Sequence, residues 1–453
     1  MPIIGAVADD LTGATTVGVL LSKSGVKTAA IFSNTELCDT DNLKKYDGLI
    51  ISSDSRALPK ETAYKRVRNA TKGLKAIGIE QFSKRTDTTL RGKIGVEIDA
   101  MLDELGPDYI AIMVPAMPKS KRIMVGGFSI IEGVPLTKTQ VFYDVKTPVK
   151  ENYIPRLIQQ QSENGVDLIK IDTVLKGKAS LKHELIKSRN KGNRIILIDA
   201  ISDEDIDLIA TSIIELRWKT LAVDPGSLTE RLAVYKKDAS EQTMPSANQE
   251  KLVRSKNNDK IVIIAAGSAT EVTKKQMDLL CVDQQHQRIH INPMDLILNG
   301  DEGIKIALQN VMERITSCTK IKSILIETAL QGERLDLDKT DHDHHFPPGE
   351  SSKRINKSLG IIVGLLIKKL GIERVAGLYM TGGETMVNVC SVLNVNSIEL
   401  IDYVIPQTDI GRFIDGEYRD MPFICKGGMT GHDKIVTDII DRLLNESKKE
   451  LVG

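Results

Sequence analysis

Short apolar runs without alternation recur along the chain, and each leads into a polar turn and then a stretch of helical spacing. Ile3-Ile4-Gly5-Ala6-Val7-Ala8 is the first such run. A continuous apolar run suits a strand covered on both faces, as in a parallel sheet. It ends on Asp9-Asp10, and a helix is expected over residues 15–21, with Gly25 just past its end. Further strands are expected at 27–32, 47–52, 79–82, 109–114, 167–171, 194–198 and 220–223. Helices are expected at 59–76, 94–105, 203–216 and 228–235, and residues 128–131 with Gly133 read as an inserted hairpin. Strands alternating with helices mean βαβ units and a parallel sheet.

The same alternation restarts at residue 260. Strands are expected at 261–265, 323–327, 375–380 and 421–425, and helices at 271–280, 353–370, 386–393 and 432–444. Residues 328–350 lack periodicity and read as a long loop. Residues 236–259 are rich in Ser, Asn, Gln, Lys and Glu and read as solvated chain. The expected fold is therefore two α/β domains, each with a largely parallel sheet flanked by helices. They would cover 1–240 and 260–453, with a linker at 241–259.

Charge and composition narrow the function. Lys+Arg and Asp+Glu both number 61, so the net charge is zero, and aromatics are scarce at 4%. That speaks against nucleic-acid and polybasic membrane partners. Five scattered cysteines form no C-x-x-C, so a disulfide framework is not expected. No apolar run nears the length of a membrane span, and no secretory leader pattern opens the chain, so a cytoplasmic protein is expected. A homo-oligomer is compatible with all of this.

Two sets of residues carry chemistry. In the second half, three strand-to-helix turns are rich in small residues: Gly267-Ser268, Thr381-Gly382-Gly383 and Lys426-Gly427-Gly428. Such turns let backbone approach a phosphate and aim helix N–H groups at it. No P-loop and no G-x-G-x-x-G after a strand is present, which disfavours a dehydrogenase. The bland alternative is three tight turns. In the first half, Arg56, Arg85, Arg91, Lys93, Lys119 and Arg122 fall at or beyond expected strand ends, as do Asp9, Asp10, Asp54 and Asp87. Arginines there suit a substrate carboxylate or a transferred phosphoryl group. A carboxylate beside them would take a proton from an attacking hydroxyl or hold Mg²⁺. The bland reading of Asp9-Asp10 is a helix N-cap. Asp341-His342-Asp343-His344-His345 lacks metal-site spacing and reads as surface loop, so no metal-ligating residue is assigned.

Together, Ala8-Asp9-Asp10-Leu11-Thr12-Gly13-Ala14, the Arg85 to Gly92 run, Pro115 to Pro118 with Arg122, Gly382-Gly383-Glu384-Thr385 and the Lys426 to Gly431 run resemble the four-carbon acid sugar kinases. The resemblance spans nearly the whole chain in order. It implies a substrate-binding N-terminal domain, an ATP-binding C-terminal domain, and phosphorylation of threonate, erythronate or an oxo-tetronate, typically at C4. It implies that Asp9, Arg56, Arg85, Thr86, Asp87, Thr88 and Arg91 serve the acid, and that Ser268, Thr381, Gly382, Gly383, Glu384, Lys426 and Gly428 serve ATP. Asp9 is the leading candidate for the hydroxyl's proton, with Asp87 as runner-up. Three departures stand out: Arg85 and Thr88 where the family commonly has Lys and Ser, Glu384 for Asp, and Lys-Gly-Gly-Met-Thr-Gly for Lys-Ser-Gly-Asn-Phe-Gly. A non-catalytic sugar-acid or nucleotide sensor on the same fold is the alternative, which nucleotide turnover would separate.

Overall fold

The structure is a computed structural model that describes residues 2–32, 40–144, 146–241, 252–254, 260–316, 320–332 and 334–451. The chain divides into two compact units, Met1–Ser246 and Ala247–Gly453.

In the first unit, the initial strands are β1 (Ile4–Ala8), β2 (Thr28–Ile31), β3 (Gly48–Ser52), β4 (Phe82–Arg85) and β5 (Ile110–Met113). A small antiparallel sheet follows, made of β6 (Arg122–Val125), β7 (Phe128–Ile131) and β8 (Val134–Pro135). The main sheet then resumes with β9 (Val166–Ile169), β10 (Ile195–Ile198) and β11 (Thr220–Asp224). Its order is β2-β3-β1-β4-β11-β5-β10-β9 and every pairing is parallel. All five residues of β1 are buried, as the unbroken apolar run anticipated. Ile112, Ile196 and Ile198 on the sheet pack with Leu181, Leu185, Ile206 and Ile209 from flanking helices.

The second unit adds a short strand, β12 (Leu252–Arg254), and then β13 (Ile261–Ala266), β14 (His286–His290), β15 (Ser323–Glu327) and β16 (Val375–Thr381). After these come β17 (Ser397–Ile405), β18 (Thr408–Phe413), β19 (Pro422–Lys426) and β20 (Lys449–Leu451). Here the order is β14-β15-β13-β16-β19-β18-β17, parallel from β14 to β19 and antiparallel beyond.

The two units share a topological device. In each, the chain lays down a first strand, goes outward, returns beside the first strand, and then crosses to its other side. The crossover direction therefore reverses between β1 and β4, and again between β13 and β16. Ligands bind in the crevice at such switch points, outside the carboxyl ends of the strands.

Several expected boundaries shift. β4 occupies Phe82–Arg85 rather than 79–82, so Lys84 and Arg85 are strand residues. Their charge disguised the strand, and it is tolerated because Lys84 meets buried Glu97 at 2.8 Å. The expected loop 328–350 contains the Leu337–Asp343 helix, whose N-cap Asp336 accepts from the Lys339 N–H. The helices Lys178–Asn190 and Gly300–Thr316, the strand β14 and the hairpin β17–β18 were not anticipated. Of the expected linker 241–259, Glu241 ends the Ser227–Glu241 helix, and Leu252–Arg254 pairs antiparallel with β20. The remainder lies outside the described residues.

Candidate functional site

The first switch point gathers charge. β1 ends at Ala8, in register with Ser52 of β3 and Arg85 of β4, so Asp9, the Ser53 to Arg56 turn and Arg85-Thr86-Asp87 emerge side by side. The Arg56 guanidinium donates to both Asp9 oxygens, from Nε at 2.7 Å and Nη2 at 3.1 Å. Its Nη1 lies 2.7 Å from Asp10 and its Nη2 3.8 Å from Asp87. Arg91 grips Asp87 in the same forked manner, at 2.7 and 3.3 Å, and Thr89 donates to it as well. Arg91 also reaches Asp144 at 3.3 Å.

Arg85 is held less tightly. Its Nη1 stands 3.4 Å from Asp9 and 3.5 Å from Asp10. Its Nε, and the Thr86 hydroxyl beside it, are buried and have no partner. An unpaired buried donor costs free energy, so the Arg85 Nε marks a place where an outside oxygen would be welcome. Gly13 makes room for Arg85: a Cβ there would sit 2.1 Å from Arg85 Nη1.

The carboxyls divide electrostatically. Burial pushes Asp9 up, but Lys84, Arg56 and Arg85 outweigh it and hold the group below the usual carboxylate range. Asp87 is likewise pushed up by burial, yet the Arg91 hydrogen bonds and the Arg56 charge hold it well below. Asp10 goes the other way, raised by burial and then by the Asp9 carboxylate beside it. Asp10 is also the N-cap of the Leu11–Lys23 helix, accepting from the Gly13 N–H at 2.7 Å. The bland reading thus holds for Asp10 and not for Asp9.

The structure brings Asp9, Asp10, Arg56, Arg85, Thr86, Asp87 and Arg91 together, with Thr88 in the same turn. It leaves others outside. Lys93 donates to the Leu58 carbonyl, Arg122 to the Ser120 carbonyl, and exposed Asp54 meets Arg66. A supporting chain was missed: Ser53 donates to the Ala8 carbonyl and shares a hydrogen bond with Ser55, Ser55 donates to Glu97, and Glu97 pairs with Lys84. Nothing in sequence spacing marks a lysine on a strand and a glutamate on the next helix as partners. The Asp144 contact was equally invisible.

At the second switch point the three small-residue turns converge. Thr270 and Thr273 hydroxyls both donate to the Gly428 carbonyl, at 2.6 and 2.8 Å. A Cβ on Gly428 would lie 2.3 Å from Ser268 Oγ, and one on Gly267 would lie 2.1 Å from Thr385 Oγ1. Gly382 takes a φ of 105°, which favours glycine, and its N–H donates to the Lys426 carbonyl. The helix Gly383–Val392 starts there, with Glu384 exposed in its first turn and accepting from Ser352 at 3.3 Å. The Thr381 hydroxyl is buried without a partner.

Lys426 is turned inward. It is fully buried, and its ammonium donates to the Gly427 and Thr430 carbonyls of its own turn. Burial without a carboxylate partner lowers its pKa to about 8. A cavity of about 560 Å³ opens beside Gly267, lined by Pro293, Leu335, Leu337, Ile355 and Asn356 among others. The backbone cradle, the orphan hydroxyl and this recess, whose lining also includes Arg334, Asp336, Asp338 and Ser352, fit a nucleotide. Among the described residues, no three His, Cys, Asp or Glu side chains cluster as a metal site. The Asp341 carboxylate instead accepts from the Gly349 and Ser351 N–H groups, and His342 is exposed. No helix is long and apolar enough to cross a membrane among the described residues.

Comparison with known proteins returns two family models in chain order. A sugar-binding N-terminal domain matches residues 4–232, and a nucleotide-binding C-terminal domain matches residues 263–436. A D-erythronate kinase of Heliobacterium modesticaldum is 33% identical over 450 residues, 98% of each chain. A D-threonate kinase of Salmonella typhimurium is 26% identical over 438 residues, 96% of each chain. A crystal structure from Haemophilus influenzae superposes with a TM-score of 0.74 at 20% identity, covering 97% of this chain and 98% of that one, which shows a shared fold.

Proposed function

The chain belongs to the four-carbon acid sugar kinases, and from that premise we propose that it transfers the terminal phosphoryl group of ATP to the C4 hydroxyl of threonate, erythronate or an oxo-tetronate. The observation that carries this reading is the contrast between the two switch points. One is lined with arginines and carboxylates, the other with converging backbone turns, the orphan Thr381 hydroxyl and a recess of mixed polarity.

In this reading the substrate carboxylate sits against Arg85 and Thr86, whose Nε and hydroxyl are unpaired and buried. Arg56 and Arg91 are already engaged by Asp9, Asp10 and Asp87, so they orient the site more than they neutralise the ligand. Asp9 and Asp87 hold those two forks in place, and Thr88 shapes the turn between them. Ser268, Thr381, Gly382, Gly383 and Gly428 receive the phosphates, and Lys426 braces the turn that carries Gly428. Mg²⁺ on the triphosphate would draw charge off the transferring group. It would keep several waters and take Glu384 as its protein carboxylate, because Mg²⁺ in phosphate sites needs only one or two.

The test is ADP release by the purified protein across threonate and erythronate stereoisomers and oxo-tetronates, followed by NMR assignment of the phosphorylated carbon. Turnover with one four-carbon acid is expected. Nucleotide and acid binding without any turnover would favour the sensor; a C2 or C3 phosphate would overturn the C4 assignment.

A further inference from the structure

Proton removal from the acceptor hydroxyl needs a carboxylate with a free lone pair, some access, and a willingness to hold the proton. Sequence pattern pointed to Asp9 and Asp87. The geometry disfavours both. Each has its two oxygens taken by one forked guanidinium, Arg56 on Asp9 and Arg91 on Asp87. Their side chains are only 3% and 7% exposed.

Asp10 differs in access and in having no single guanidinium across both of its oxygens. Its side chain is 26% exposed. One oxygen accepts from the Gly13 N–H and lies 3.5 Å from Arg85, and the other meets a single Arg56 nitrogen at 2.7 Å. A carboxylate oxygen has two lone pairs; Asp10 Oδ2 meets one nitrogen, and unlike the equally single-partnered Oδ2 of Asp9 it belongs to a partly exposed side chain. The unpaired Nε of Arg85, whose guanidinium reaches Asp10 at 3.5 Å, independently marks this crevice as a ligand seat. Resting on the kinase reading above, we propose that Asp10, besides capping its helix, is the residue that accepts the proton of the attacking hydroxyl.

The step balances. The hydroxyl oxygen forms a bond to the γ-phosphorus while its proton passes to an Asp10 oxygen. The bond between that phosphorus and the bridging oxygen breaks, and its electron pair leaves on ADP. Asp10 then returns the proton to solvent. The groups facing Asp10 are Asp9 from the end of β1, Arg56 from the turn after β3, and Arg85 from β4. Burial and the like charge of Asp9 favour proton uptake, and the charges of Arg56 and Arg85 oppose it.

The experiment separates the cap from the base. Asparagine and serine both cap helices well but accept no proton from an alcohol. Asp10→Asn and Asp10→Ser are therefore expected to melt within a few degrees of the wild type. Their kcat should fall by about 10²-fold or more, with the KM for ATP nearly unchanged. The acid limb of the wild-type kcat profile should lie above the ordinary aspartate range and vanish in Asp10→Asn. An active wild type with an equally active Asp10→Asn enzyme would leave Asp10 a cap and overturn the inference, while the kinase reading stands. A wild type without turnover on any four-carbon acid would overturn both.

Discussion

Arg85 shows how much one side chain depends on its neighbours. It lies on a buried strand, passes over Gly13, and meets Asp9 and Asp10 only at 3.4 and 3.5 Å. Its planar fork leaves Nε unmet, the geometry that suits a planar carboxylate. Arg85→Lys keeps the charge and loses the fork. The KM for the sugar acid is expected to rise roughly 10-fold to 100-fold, the worth of one charge-assisted hydrogen bond. The KM for ATP should not move. Steady-state kinetics with each substrate varied in turn checks this, and an unchanged acid KM would remove Arg85 from the carboxylate seat. The residues beneath it were hidden from sequence reading for a physical reason. Lys84 and Glu97 each look like surface residues, and only mutual pairing at 2.8 Å makes their burial affordable.

At the scale of elements, the strand-to-helix turns of the second unit are pinned against one another. The Gly428 carbonyl takes two threonine hydroxyls, which resist retreat of the turn from a side chain added at this position. Gly428→Val would drive a Cβ to within 2.3 Å of Ser268 Oγ. It is expected to raise the ATP KM by 10-fold or more, taking loss of two neutral hydrogen bonds at about 1 kcal/mol each, while acid binding by calorimetry stays near wild type. Equal loss of both affinities would instead report a general folding defect.

The Lys426 turn makes a separate prediction through pH. Its pKa in the fold is lowered to about 8 from 10.5, so between those values the unfolded chain binds more protons than the native one. Stability therefore rises with pH across that window from this group, and its full penalty is present below about pH 8. Lys426→Met should remove that contribution. Chemical denaturation at pH 7.5 and 10 should show a smaller gain, or a larger loss, in the variant than in the wild type. Parallel pH profiles would mean that Lys426 is not strained by burial.

For the whole molecule, the acid is assigned to one unit and the nucleotide to the other, and no side chain is assigned as a phosphoryl carrier. The proposed reading has transfer go directly from ATP to the acid, so initial rates with both substrates varied should give intersecting double-reciprocal lines. Parallel lines would demand a phosphoenzyme and a nucleophilic side chain to carry it. Zero net charge means that attraction of two anionic substrates comes from local arrays and not from the field of the whole protein. Rates should consequently depend only modestly on ionic strength.

The amino-acid sequence by itself determined the alternation of buried strands and helices, the restart near residue 260, and the limits of the most strongly patterned elements. Period and turn chemistry are local, so Ile94–Leu105, Asp203–Leu216, Glu271–Leu280 and Ser323–Glu327 could be read directly. The small-residue turns and the Asp9-Asp10 corner were legible for the same reason. Strand order was not, because pairing partners are distant in the chain. That order is what places β1 beside β4 and β13 beside β16. Only tertiary structure could decide which arginine forks which carboxylate, that Arg85 and Thr86 keep unmet polar atoms, and that Asp10 retains the access that Asp9 lacks. Those properties belong to distances between residues such as Asp9 and Arg56, which lie 47 positions apart in the chain and 2.7 Å apart in the fold.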